Sequence, residues 1–346
     1  MAQTDKKTLL TASPHFAAPV NTRMIMYSVL IALVPLAVWG VKLYGVPALL
    51  TILVATASAL AAETLFRLLL KRDVRALDGS AAITGLLLAL SLPPSVPLWM
   101  TALGAAFGVI VGKEFFGGLG ANIFNPALVG RAFLVMSFPA ELTSWSVPGV
   151  ASNMVDAGNA VDAVSTATPL NFLKMGGNMN GLGEQLAHFK LADSASYGDL
   201  LKALFLGNHG GCIGETSILF IITGGLFLIL LRVIDWRGPL AMIVTTALGA
   251  LALGMDVPFT LFSGALLFSA VFMITDYVTS PVTPLGRLIF GAGVGAIILI
   301  IRRFGAYPEG VTFAILAMNA ITPFLDKLLP RKYGTVKKIK ADGGAR

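Results

Sequence analysis

The run MIMYSVLIALVPLAVWGVKL (Met24–Leu43) carries a single charge, Lys42. As a helix it rises about 30 Å, the thickness of the hydrocarbon core of a bilayer, so its reading decides the fold. A second apolar run, from about Pro47 to Leu69, follows almost at once, and comparable segments recur along the chain. Composition agrees with a membrane solvent: of 346 residues, 56% are hydrophobic and 12% charged. That charged fraction is about half the level of a soluble domain. The sequence therefore reads as an all-α polytopic membrane protein.

The net charge of +7 does not indicate nucleic acid. The basic residues stand at the ends of apolar segments, as orientation by cytoplasmic positive charge requires, and no basic patch is interleaved with aromatics. Cys212 is the only cysteine, which excludes an internal disulfide and a cysteine-ligated iron–sulfur cluster held by this chain alone. His15, His188 and His209 lie outside the apolar segments without metal-ligand spacing and read as loop residues. The polar start lacks a signal-peptide apolar core, so the first apolar segment is expected to act as an uncleaved signal.

About ten transmembrane segments are expected. A cytoplasmic tail, 1–23, precedes a first half of five helices, 24–138, in which segment three is short and ends at Pro93-Pro94. Phe115-Phe116-Gly117-Gly118-Leu119-Gly120-Ala121-Asn122-Ile123-Phe124-Asn125-Pro126 then predicts irregular backbone leading into a broken helix. At membrane depth such backbone survives only where protein buries it or where it lines a cavity. A long extracytoplasmic loop, 139–213, includes an amphipathic helix expected near Leu182 to Phe189. A second half, 214–326, and a basic cytoplasmic tail, 327–346, complete the chain. Lys71 to Arg75, Lys113, Arg232, Arg237 and Arg287 all fall on the cytoplasmic side in this arrangement, and Arg302-Arg303 is its single exception. Ile83-Thr84-Gly85 in segment three echoes Ile222-Thr223-Gly224 in segment six, and Asn125-Pro126 with Gly130-Arg131 echoes Ser280-Pro281 with Gly286-Arg287. These echoes predict two inverted five-helix repeats, with sites at broken helices between the halves.

Glu63, Asp78, Glu114, Glu215 and Asp276 are acidic groups in or beside apolar segments. Charge at membrane depth is costly and marks cavities or ion paths, and Asp276 and Glu114 are the candidates for such a path. Glu215-Thr216-Ser217 reads as a helix-start cap, and Glu63 with Arg67 as an intrahelical pair.

Within the long loop stands Asp162-Ala163-Val164-Ser165-Thr166-Ala167-Thr168-Pro169-Leu170, a hydroxyl-rich run closed by proline and therefore extended or turn-like. Taken alone it reads as a solvated loop with hydroxyls open to modification. The run resembles the flavin-attachment motif of the membrane subunits of Rnf and sodium-pumping NADH:quinone oxidoreductase complexes. The resemblance implies that Thr168 carries FMN through a phosphoester, with Asp162, Ser165 and Ala167 in recognition positions. Thr166 stands where a glycine is common. Asp78-Gly79-Ser80, Leu92-Pro93-Pro94, Phe116 to Gly120 with Asn125-Pro126, Gly214-Glu215-Thr216-Ser217, Ile274-Thr275-Asp276, Thr279-Ser280-Pro281, Gly286-Arg287 and Tyr307-Pro308 extend the similarity over nearly the whole chain. The short N-terminal tail favours the Rnf D-type protein over the B-type protein of the quinone reductase. Tyr277, Glu114 and Cys212 depart from an expected Pro, Gln and Ser.

The family implies an electron-carrying membrane subunit of a complex coupling ferredoxin:NAD oxidoreduction to Na⁺ or H⁺ transport in the bacterial cytoplasmic (inner) membrane. The implied partners from the Rnf complex are the G subunit with its own covalent FMN, the A and E membrane subunits and the B and C electron-input subunits. A second, non-covalent flavin (riboflavin) between the halves is a further expectation by analogy. A cofactor-free transporter with inverted repeats, and a structural anchor, are the competing readings; neither has a use for Thr168.

Overall fold

A computed structural model describes residues 21–74, 76–145, 168–175, 181–182, 196–305 and 309–328. Among these residues every regular element is helical. Helix α1 (Thr22–Tyr44) begins at Asn21, whose side chain accepts from the Arg23 amide. It turns into α2 (Val46–Leu69) on Gly45, whose φ of 70° a side chain would strain. The chain then enters α3 (Ser80–Leu90), α4 (Leu98–Gly112) and α5 (Pro126–Ser137). Three short helices follow: α6 (Pro139–Leu142), α7 (Pro169–Lys174) and α8 (Tyr197–Leu206). The second half comprises α9 (Ile218–Leu230), α10 (Arg237–Ala252), α11 (Val257–Phe262), α12 (Leu266–Phe272), α13 (Pro284–Phe304) and α14 (Val311–Leu328).

Among the described residues, four helices are long and apolar enough to cross a bilayer: α1, α2, α4 with its extension to Phe116, and α13. Helices α3, α5, α9 and α10 are shorter and apolar. The outer faces carry exposed Val38, Leu53, Leu248 and Ile300, a distribution that suits lipid rather than water. The fold is that of an all-α polytopic membrane protein, as the sequence implied.

Small residues set the helix spacing. A Cβ on Gly85 of α3 would come within 2.7 Å of the Ala55 carbonyl of α2, and one on Gly108 of α4 within 2.5 Å of the Pro126 carbonyl of α5. Backbones pack this closely in membranes because dispersion, not water exclusion, drives helix association there.

Two expectations need correction. The eighth of the ten expected segments, between the Asp256-Val257-Pro258 turn and about Asp276, is not one helix but α11 and α12, parted at Ser263-Gly264, where Gly264 has a φ of 70°. The echo between segments three and six does not describe the packing: α2 packs on α3 and α4 as α10 packs on α12 and α13, and α4 on α5 as α13 on α14. The partner of α3 in this scheme is α12, while α9 pairs with α1.

The long loop has a layer of its own. Leu170, Phe172 and Leu173 of α7, Leu182, and Leu200, Ala203 and Leu204 of α8 pack with Phe259 and Phe262 of α11. Of the amphipathic helix expected at 182–189, only Leu182 falls within the described residues.

Candidate functional site

Thr168 stands at the N-cap of α7, 8% exposed, with its Oγ1 accepting from the Asn171 amide at 3.1 Å. Pro169 occupies the first helical position, where its missing N–H costs nothing. The Thr168 oxygen is used as an acceptor, and among the described residues its hydrogen is engaged nowhere. Asp162, Ser165, Thr166 and Ala167 lie outside the described residues.

Beside α7 opens a cavity of about 410 Å³, lined by Leu170, Leu173 and Lys174 of α7, Asp256, Phe259 and Thr260 around α11, and Arg302 and Arg303 at the end of α13. Lys174 Nζ donates to the Ile301 carbonyl at 3.4 Å. Burial and the nearby Arg302 guanidinium both push the Lys174 ammonium below its ordinary pKa. Tyr197 donates its hydroxyl to Asp256, and burial together with that bond raises the phenol to about 12. The end of α13 thus shares the face of Thr168. The exception that Arg302 makes to the charge rule has a local cause: its guanidinium caps α11, donating to the carbonyls of Thr260 at 2.6 Å and Ser263 at 3.0 Å.

Nearby, Arg131 of α5 pairs with Glu309 at 2.8 Å. Glu309 also accepts from the Ala265 amide at 3.2 Å. Glu215 accepts from the Cys212 amide at 2.8 Å, and Ser217, though at the N-cap of α9, makes no side-chain capping bond. The expected cap is therefore absent among the described residues: Glu215 holds the preceding turn instead. His209 is buried at 3% exposure with Nδ1 3.0 Å from the Gly210 carbonyl, and Tyr44 donates to the His209 carbonyl at 3.1 Å.

A second buried network joins α2, α3 and α4. Lys113 donates to Glu63 at 2.8 Å and to Ser80 Oγ at 2.6 Å, and Ser80 donates on to Asp78 at 2.6 Å. Arg67 lies 3.6 Å from Glu63 but bonds Glu114 at 3.2 Å and the Asp73 carbonyl at 3.1 Å. The anticipated intrahelical pair is the weaker part of this arrangement. No periodicity reveals the Lys113–Glu63 and Arg67–Glu114 contacts, because their partners lie on different helices. Glu114 is 1% exposed and paired with Arg67.

Asp276 borders the same space as Lys113 and Ser80 of that network. Its carboxylate accepts from the Val278 amide at 3.2 Å and the Thr279 hydroxyl at 3.1 Å, and it borders a cavity of about 90 Å³ between α1, α3, the 119–126 segment and residues 272–278. Asn125 caps α5 and reaches the Met273 carbonyl at 3.4 Å. The Asn122 Oδ1, on a side chain at this cavity, has no partner among the described residues. Asp276 and Glu114 are not brought together. Among the described residues no cluster of His, Cys, Asp or Glu has the form of a metal site.

Residues 9–334 match the model of the NQR2, RnfD, RnfE family. The chain belongs to that family. A relative from Clostridium ljungdahlii, the D subunit of a proton-translocating ferredoxin:NAD(+) oxidoreductase complex, is 41% identical over 95% of this chain and 98% of its own length. The D subunit of an ion-translocating oxidoreductase complex from Stutzerimonas stutzeri is 42% identical over 90% and 91%. The D subunit of the Na(+)-translocating ferredoxin:NAD(+) oxidoreductase complex of Acetobacterium woodii is 39% identical over 97% and 98%. The likeness thus runs across both membrane halves and the loop between them, rather than through one short motif.

Proposed function

We propose that this chain is the electron-carrying D-type membrane subunit of an ion-translocating ferredoxin:NAD oxidoreductase complex, with FMN joined to Thr168 by a phosphoester. The observation that carries the reading is the Thr168 hydroxyl. Among the described residues it accepts one hydrogen bond and donates none, so replacing its hydrogen by phosphorus breaks no bond of the cap. The bound flavin would supply reversible one- and two-electron chemistry. The chain's own part is to anchor the group at Thr168 and to hold α7 against α11 through the apolar layer of Leu170, Phe172 and Leu173. Because Thr168 is buried, a flavin transferase has to reach it before α7 settles.

The orientation belongs to the same proposal. The chain lies in the bacterial cytoplasmic membrane with both termini inside and Thr168 outside, beside the G, A and E subunits, and receives electrons that enter through the B and C subunits. A second, non-covalent flavin is proposed at the cavity bordered by Asn122 and Asp276. The unpartnered Asn122 amide oxygen suits the N–H of a flavin's pyrimidine edge. The space of about 90 Å³ is below the several hundred Å³ usual for such ligands, so Met26 or Leu119 must swing aside. Asp276, at the same cavity, is proposed for ion coupling, and Asp276→Asn with wild-type ion transport per electron would remove it from that role.

The deciding experiment is in-gel flavin fluorescence of the denatured chain, wild type and Thr168→Val, produced with a flavin transferase. Fluorescence in the wild type that vanishes in the variant is expected. A dark wild-type band, with the transferase active on another substrate, would overturn the covalent reading and leave the cofactor-free transporter ahead.

A further inference from the structure

The cavity beside α7 has an apolar floor of Leu170, Leu173 and Phe259 and a cationic rim of Lys174, Arg302 and Arg303. One carboxylate, Asp256, faces it, already engaged by the Tyr197 hydroxyl and the Phe259 amide. Among the described residues, three cations and one satisfied carboxylate line the space. It is also the right size, since about 410 Å³ falls within the range of small-molecule sites. Helix α7 runs six residues from Pro169 to Lys174, about 9 Å at 1.5 Å per residue, so the far wall lies within reach of a group tethered at Thr168.

We infer that this cavity seats the isoalloxazine ring of the flavin carried by Thr168, and that Lys174 and Arg303 set its potential by stabilising the reduced ring. The inference rests on the covalent reading given above. Taking up two electrons and one proton turns neutral oxidised flavin into a reduced ring bearing one negative charge. The half-buried Lys174 and the buried Arg302 favour that state over the neutral one, and the exposed Arg303 adds a more strongly screened charge. The floor of leucines and Phe259 covers the ring face, and Arg302, tied to the α11 carbonyls, cannot follow the ring and keeps the rim in place. Lys174, displaced from its ordinary pKa by burial and by Arg302, is stabilised by an anion at this position.

The test uses the whole complex, produced with the flavin transferase, as wild type and as Lys174→Gln, Lys174→Arg, Arg303→Gln and Leu173→Trp. Three quantities are read for the flavin on this chain, isolated by difference from Thr168→Val: the fluorescent denatured band, the midpoint potential, and quenching by acrylamide. The band is expected in every variant. The potential falls in Lys174→Gln and Arg303→Gln and stays at the wild-type value in Lys174→Arg. Quenching rises toward that of free FMN in Leu173→Trp, which fills the floor. A retained band with wild-type potentials and quenching in all variants overturns the docking while leaving the attachment intact. A band lost from an assembled Lys174→Gln or Arg303→Gln complex assigns the charge to flavin transfer and also overturns it. A dark wild-type band removes attachment and docking together.

Discussion

Replacing Lys113 by Met strands a carboxylate inside the helix bundle. Lys113 is 1% exposed and Glu63 is fully buried, 2.8 Å apart. With Asp78, which Ser80 ties into the network, two cations face three carboxylates; without Lys113 only one cation is left, and the nearest to Glu63 is the Arg67 Nε at 3.6 Å. Ser80 also loses the donor that sits 2.6 Å from its hydroxyl. Removing one partner of a buried pair costs about 3–5 kcal/mol. For a chain of this size that corresponds to a melting temperature lower by roughly 4–7 °C. Glu63→Gln in the same chain removes the stranded carboxylate and leaves Arg67 with Glu114, so the double variant should recover roughly half of the Lys113→Met loss, about 2 kcal/mol. The assay is the fraction of detergent-solubilised protein that remains monodisperse after heating, for wild type, both single variants and the double. Additive losses, or a Lys113→Met melting temperature close to that of wild type, would refute the claim that these charges act as one coupled unit.

Thr168→Ser should keep both the α7 cap and the covalent flavin, whereas Thr168→Val should lose the flavin and about 1 kcal/mol of local stability, read as faster proteolysis near α7. Gly108→Val should separate α4 from α5, because its Cβ would press on the Pro126 carbonyl at 2.5 Å; yield of folded protein should drop sharply while the exposed Gly254→Ala, with nothing within 4 Å but a φ of 66°, loses only about 1 kcal/mol. Asp235, in the loop between α9 and α10, is raised by burial but held below the usual carboxylate range by the Arg237 amide and Arg287, which lies 2.6 Å away. A carboxylate depressed in the folded state stabilises above its unfolded pKa of about 3.9 and loses that contribution as pH falls through the folded value. The melting-temperature gap between wild type and Asp235→Asn should therefore be constant near neutrality and close only below about pH 4.

Much of the fold was legible because lipid imposes a simple grammar: apolar length marked out the segments, and Pro93-Pro94, Gly45 and Asn125-Pro126 marked their ends. The irregular stretch at 115–126 was readable from its glycines, three of which have positive φ. The break between α11 and α12 was not, since Ser263-Gly264 sits inside a run as apolar as its neighbours. At the site, Thr168 was visible through its motif. The cavity beside it was not, because α7, α11 and the end of α13 meet there only in space. The charge pairs were hidden for the same reason: Arg131 and Glu309 are 178 residues apart.

The termination of α3 bears on how the chain is made. This helix is 11 residues long, about 16 Å, and stops short of crossing the bilayer. The carbonyls of Leu90 and Leu92 accept from the amides of Gly214 at 2.7 Å and Ile213 at 3.1 Å, which the ribosome delivers only after the whole long loop. Until then those carbonyls face lipid or the translocon without partners. A nascent chain arrested before residue 213 should therefore be held by insertion chaperones and degraded on release, whereas one arrested shortly after α9 can close the end of α3 and survive. Biogenesis of the first half thus waits on the second.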